Sequence, residues 1–196
     1  MSRTADALAA FDAINAEDPQ RIEVAGVPTP RTLVHARSVS QWIERLHPQA
    51  SEALLLAARA HHLRRWEHPR SQWPMTREGY LRWRLELKRI HAEVAASVLG
   101  ALGYEPELIS RVGALIRRER LKLDPEAQAL EDAICLAFLE HDFDHFGPQH
   151  DPAKVIAIVR KTWVKMSEPG RSAALTLSLS DYAQSIVAQA LAPTQA

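Results

Sequence analysis

Residues 32–46, TLVHARSVSQWIERL, set His35, Val39, Trp42, Ile43 and Leu46 at 4-3-1-3 spacing. That apolar stripe has a period near the ~3.6 residues of a helical turn. Thr32 reads as the helix cap, and Pro48 closes it. Upstream, a helix over Ala5–Ala16 ends before Pro19, and Arg21–Pro30 (RIEVAGVPTP) reads as a loop punctuated by Gly26 and two prolines. Downstream, the nearly all-apolar ALLLAARA lies inside a helix over Gln49–Arg65. Pro69 and Pro74 make Trp66–Thr76 a loop, and Arg77–Leu102 reads as one long helix stopped by Gly103. Helices follow over Pro106–Arg118, from Asp124 (N-cap) and Pro125 to Phe143, over Pro152–Met166 and over Gly170–Leu191. No segment carries a convincing strand pattern, so the expected class is all-α.

The chain has 196 residues, 46% apolar and 24% charged, with 24 Lys/Arg against 24 Asp/Glu. That composition suits one soluble globular domain with a core of its own. The site region is expected over about 32–143, with C-terminal helices over 152–191 packing on it. No run of about 18 apolar residues is present, so no membrane span is expected. The N-terminus lacks a basic leader followed by an apolar stretch. The single Cys135 excludes an intramolecular disulfide and fits a reducing cytoplasm. Zero net charge disfavours a protein whose whole surface holds nucleic acid. The charge is uneven, however: between Arg59 and Arg89 stand nine Lys/Arg and only three Glu, a segment suited to an anionic ligand.

That basic segment contains the candidate chemistry. Residues 61–93, HHLRRWEHPRSQWPMTREGYLRWRLELKRIHAE, open on the doublet His61-His62 and close near His91. Buried imidazoles need polar partners, and a metal ion satisfies several at once. His35 shares the apolar face of its helix, where it reads either as a ligand or as a core histidine bonded to a carbonyl. His91 reads as a ligand or as a surface histidine among charges. Adjacent helical residues point ~100° apart, so His61 and His62 both face inward only if their helix is heavily buried. Asp132, inside ALEDAICLAFLE, needs an arginine, a helix end or a metal if it is buried. Arg65, Trp66, Arg70, Tyr80, Arg84, Lys88 and Lys122 are the candidate ligand-binding residues: guanidinium forks hold phosphate or carboxylate, and aromatic faces stack. The alternative is that Glu67, Glu78 and Glu86 pair with several of these arginines while the tryptophans seal the loop. His141, His145 and His150 in EHDFDHFGPQHD read as a solvated turn at a helix end.

A histidine on one helix, a doublet closing a second, a later histidine and an aspartate on a further helix resemble the HD-domain superfamily of metal-dependent phosphohydrolases and oxygenases. The resemblance implies metal ligation by His35, His61 or His62, and Asp132, with His91 where two-metal members carry an extra ligand. The chain departs from that pattern at the doublet, whose second member is His62 rather than aspartate. The resulting site is less anionic, suited to a transition metal (Fe, Mn, Zn or Ni) more than to magnesium.

A second resemblance covers almost the whole chain. RWExPR at 65–70, GYLRWR at 79–84, the histidine at 91 and LEDxxCLxFLE at 130–140 are similar to the family known as domain of unknown function 4202, a name that implies no reaction. That motif includes His62 more firmly than His61. The expected function is metal-dependent hydrolysis of a phosphorylated or other anionic small molecule. The metal would polarise the phosphoryl oxygen and acidify a water, and Arg65, Arg70 and Arg84 would orient the anion. A di-iron oxygenase is a narrower variant. From another class, a catalytically silent helical module binding a nucleotide, RNA or a protein through its Arg/Trp block fits the same residues.

Overall fold

The computed structural model describes residues 2–192, the side chain of His145 excepted, and the described chain is all-α apart from one short hairpin. Its contacts group residues 1–130 and residues 131–196 into two compact units.

In the first unit, α1 (Arg3–Asn15) starts on Ser2, whose hydroxyl accepts the Ala5 N–H. It buries Ala7, Phe11 and Asn15. The expected loop over Arg21–Pro30 is instead an antiparallel hairpin, β1 (Arg21–Val24) paired with β2 (Val27–Pro30) in the register Ile22↔Thr29 and Val24↔Val27. Ala25 and Gly26 both take positive φ, 49° and 78°, as the tightest two-residue hairpin turn requires. The strands are four residues long and mostly exposed, so no alternation marks them, and Pro28 and Pro30 argue against a ladder.

The helix over Arg31–Leu46, α2, matches the apolar stripe, but Thr32 is not its cap. Thr32 lies inside the first turn, and Asp18, 2% exposed, accepts both its N–H (2.9 Å) and its hydroxyl while also accepting the Gln20 N–H. A helix start leaves its first N–H groups without intrahelical partners, and here a carboxylate fourteen residues upstream supplies one. The next helix, α3 (Glu52–Ala60), is shorter than expected. Ser51 caps it through the Leu54 N–H, and His61 is already its C-cap. It packs against α1, α2, α4 (Arg77–Ala101) and α5 (Pro106–Arg117), which explains why almost every residue on it is apolar.

The long α4 starts on Thr76, whose hydroxyl accepts the Gly79 N–H. The segment between α3 and α4 holds two single 3-10 turns, Arg65–Glu67 and Arg70–Gln72. Arg118 closes α5 in the left-handed region, φ 56°. Helix α6 (Pro125–Ala137) follows, and Arg111 of α5 pairs with Asp124 and Glu126 at its start.

In the second unit, the helix expected to run to Phe143 yields at Phe138 to a π turn, Phe138–Asp142, followed by α7 (Phe143–Phe146). A π turn brings residues five apart into register. Phe138 accordingly meets Phe143 edge-on at 5.8 Å, with Phe146 5.6 Å from Phe138. Helix α8 (Pro152–Lys165) packs on α10 (Asp181–Leu191). The single helix expected over Gly170–Leu191 is broken into α9 (Glu168–Ala174) and α10, because Ser180 caps α10 through the Ala183 N–H and is itself anchored to Asp144. Among the described residues no helix is long and apolar enough to cross a membrane.

Replacing Asp18 with Ala leaves the Thr32 N–H and hydroxyl buried without that acceptor, directly upstream of His35. The expected loss is about 1–2 kcal/mol of stability, read as a lowered denaturant midpoint. An unchanged midpoint would show that Asp18 does not anchor α2.

Candidate metal and anion site

Helix α3 ends inside the first unit, so the two residues at its end are delivered to the interior rather than to solvent. His61 is 0% exposed and His62 half-buried, and the chain then turns sharply through Arg64 at φ 56°. His35 arrives from α2, 7% exposed. The His35 and His62 rings stack, with centroids 5.0 Å apart, and the His61 ring lies 5.2 Å and 4.1 Å from them. Each of the three offers a nitrogen, and these lie within 4.8 Å of one another. His91 of α4, 2% exposed, sets its ring 5.6 Å from that of His62.

Tautomers follow from the hydrogen bonds. Nδ1 of His61 lies 2.8 Å from the Ala58 carbonyl, and Nδ1 of His91 lies 2.7 Å from the Leu63 carbonyl. A carbonyl only accepts, so both Nδ1 atoms carry the proton and both Nε2 atoms present a lone pair. Among the described residues, those two Nε2 atoms are buried with no hydrogen-bond partner. Burial also pushes the pKa values down. Desolvation lowers His61 and His62 well below 6.5 and takes His91 to about 3. The positive charges of Arg118 (on His61 and His91) and Arg65 (on His62 and His91) act in the same direction. The imidazoles are therefore neutral, as metal ligation requires. With metal–nitrogen bonds of ~2.0–2.1 Å, two donors on one ion sit up to roughly 4 Å apart. A triad spread within 4.8 Å closes onto an ion with side-chain adjustments of under about an ångström, so the residues fit a transition metal.

A cavity of about 140 Å³ adjoins the triad. His61, His62 and His91 form one side, Tyr80, Trp83 and Leu87 an aromatic and apolar face, and Arg65, Arg84, Lys88 and Arg118 the rest. No carboxylate is among these lining residues. Arg65 lies over the Trp83 ring at 4.9 Å and Arg84 over Tyr80 at 5.8 Å, while the Trp83 indole N–H donates to the His68 carbonyl and fixes that wall.

Of the expected ligand-binding residues, Arg65, Tyr80, Arg84 and Lys88 thus line one cavity. Arg70 does not line it: its guanidinium donates to the carbonyls of Trp73, Pro74 and Thr76 and ties the loop together. Trp66 sits half-buried in the Arg65–Glu67 turn, and Lys122 is exposed before α6. Glu67, Glu78 and Glu86 do pair with arginines, namely Arg64, Arg82 and Arg89, none of which lines the cavity. Arg118 was not expected there. It reaches the cavity from a left-handed helix end occupied by a non-glycine residue, which no local pattern announces.

Asp132 belongs to the second unit. Its carboxylate accepts the Ser167 N–H (2.8 Å) and the Ser167 hydroxyl, anchoring the residue that caps α9. The same carboxyl leaves no room for a side chain at Gly170, where a Cβ would come within 2.7 Å of Cγ. In the expected solvated turn, His141 pairs with Glu140 and His150 packs on Phe146; the side chain of His145 lies outside the described residues.

The sequence model of the family described as "Domain of unknown function (DUF4202)" matches residues 5–187. No curated protein and no solved structure matches the chain.

The depressed histidine pKa values set a pH dependence. Below 6.5 the unfolded chain takes up protons that the folded metal-free protein refuses at His61, His62 and His91. Their contribution to stability is complete above pH 6.5 and is lost as pH falls from there toward about 3. Thermal unfolding of the metal-free protein should show Tm falling across this window, and His91→Gln should flatten the fall. A Tm that is level from pH 7 to 4.5 contradicts the neutral buried cluster.

Proposed function

The chain belongs to the DUF4202 family, whose description names no reaction, and we propose from the chemistry of its site that it is a metal-dependent hydrolase of a phosphorylated or similarly anionic small molecule. The observation that carries this reading is the convergence of three imidazoles within 4.8 Å beside a cavity walled by four cationic side chains. His35, His61 and His62 hold the ion. Nitrogen donors favour zinc, iron, nickel or manganese over magnesium. A divalent ion there would supply a Lewis acid for a phosphoryl oxygen and an acidified water as nucleophile.

The remaining work falls to the chain's own side chains. Arg65, Arg84, Lys88 and Arg118 bind and orient the anion, the arginines through paired N–H groups. Trp83 and Leu87 keep bulk water from one face of the cavity, so the charges there act in a lower dielectric. His91, its Nδ1–H held by the Leu63 carbonyl, offers Nε2 as an acceptor. With its pKa at about 3 it takes a hydrogen bond rather than a proton at neutral pH, and so orients a water or a substrate hydroxyl. The HD-type phosphohydrolase is the chemical analogue of this reading, with His62 standing where that superfamily has aspartate. We place the protein in the cytoplasm, since its one cysteine, Cys135, can form no intramolecular disulfide.

Elemental analysis of protein purified without chelator or a metal-carrying tag tests the reading. About one transition-metal ion per chain is expected, lost in His62→Ala and His35→Ala. In Asp132→Ala the metal is expected to stay while Tm falls, because Asp132 anchors Ser167. A parent protein without stoichiometric metal overturns the hydrolase and favours the silent binding module; metal lost in Asp132→Ala adds that carboxylate to the ligands.

A further inference from the structure

We propose that the ligand of this site is an amphiphile: its anionic head fills the cavity, and an apolar substituent lies outside it over Tyr80, Leu81 and Leu85 of α4. The proposal rests on the anion reading above and deepens it by naming the character of the leaving group, which that reading leaves open.

The faces of α4 carry the argument. Successive residues of a helix point ~100° apart, so Tyr80, Trp83, Arg84, Leu87, Lys88 and His91 share one face, and all six line the cavity. The opposite face is charged and pairs within itself: Glu78 with Arg82, and Arg89 with both Glu86 and Glu93. Leu81 and Leu85, one turn apart, fall on the strip between these two faces, on the side of Arg84 and Lys88. They are 50% and 67% exposed. A helix strip that meets only water is expected to be polar, and here it carries two leucines that neither the core nor the ion pairs engage. Tyr80 joins the strip to the cavity. Its ring lines the cavity yet is 41% exposed, and its hydroxyl accepts from Arg84 at 3.3 Å.

The size of the cavity says what covers the strip. Pockets for drug-sized ligands run to about 300–1,000 Å³, whereas this one measures about 140 Å³. It admits a head group and leaves the rest of the ligand outside. The exposed edge of Tyr80 is a way out, and the substituent that leaves by it meets Leu81 and Leu85 next. Two leucines and the edge of one ring fall well short of the ~800 Å² per partner that a stable protein interface buries. They match a single apolar group continuous with the head in the cavity.

Calorimetric titration with three non-hydrolysable phosphonates, with and without one equivalent of Co²⁺, tests this. Methylphosphonate supplies the head alone, 2-hydroxyethylphosphonate a polar substituent and hexylphosphonate an apolar one. A methylene lying with one side against an apolar surface gains about twofold in affinity, half the effect of full burial. Five of them, less the cost of ordering the chain, should make hexylphosphonate bind about tenfold or more tightly than the other two. Leu81→Ser and Leu85→Ser change exposed positions and, checked for folding by circular dichroism, should each cut that advantage severalfold while leaving methylphosphonate binding unchanged. Arg84→Gln should weaken methylphosphonate and hexylphosphonate alike. Equal affinity for the three phosphonates overturns the apolar substituent while the anion reading stands, and so does a hexyl advantage that survives both serine variants. If no phosphonate binds in either condition, the anion reading falls and the amphiphile with it.

Discussion

The burial of α3 is the constraint on which the site depends. Four helices pack around it, so its surface carries Ala and Leu on nearly every side. Its one charged interior position, Arg59, is accommodated by Asp12 and the Ser40 hydroxyl. A helix so enclosed ends inside the first unit, and of the two residues that follow it one is fully buried and the other half-buried. His61 and His62 are those residues. Their environment strips them of hydration, which disfavours the imidazolium, and a neutral imidazole with one nitrogen bound to a carbonyl is a metal donor by default.

Such a cluster is costly in the absence of a ligand. A buried acceptor without a partner forfeits its solvation, typically ~1–3 kcal/mol, and both His61 and His91 have such an Nε2 atom. Polar groups left unsatisfied against the general pattern of a protein interior mark functional sites more often than accidents. Here the Nε2 atoms of His61 and His91 stand beside a cavity that Arg65, Arg84, Lys88 and Arg118 also line.

Much of this was legible in the residues. The stripe of α2 places His35 on a core face, and the apolar run of α3 brings both members of the doublet inward. The basic excess between Arg59 and Arg89 supplies Arg65, Arg84 and Lys88 to the lining of one cavity. The finer distribution was not legible. Arg70 and Arg84 look alike in sequence, yet one ties a loop together and the other lines the cavity, because the loop's carbonyls happen to face Arg70. Asp132 reads as a residue in search of a cation; among its partners is Ser167, thirty-five positions away, a partner no helical spacing suggests. Arg118 enters through an unusual backbone conformation, and the hairpin over Arg21–Pro30 forms on a turn whose first residue is an alanine at positive φ.

By itself the sequence determined the helical class, the faces those helices bury and the chemical types available to the site, because periodicity and composition are local properties of the chain. Tertiary structure alone decided which of those types meet. The imidazole triad joins residues from α2 and from the end of α3, and the cavity beside it draws on α4 and the end of α5. These distances depend on how helices pack, and packing depends on the whole interior at once. The protonation state of His61, His62 and His91 was decided there too, since it follows from desolvation and from the field of Arg65 and Arg118, neither of which exists until the chain has folded.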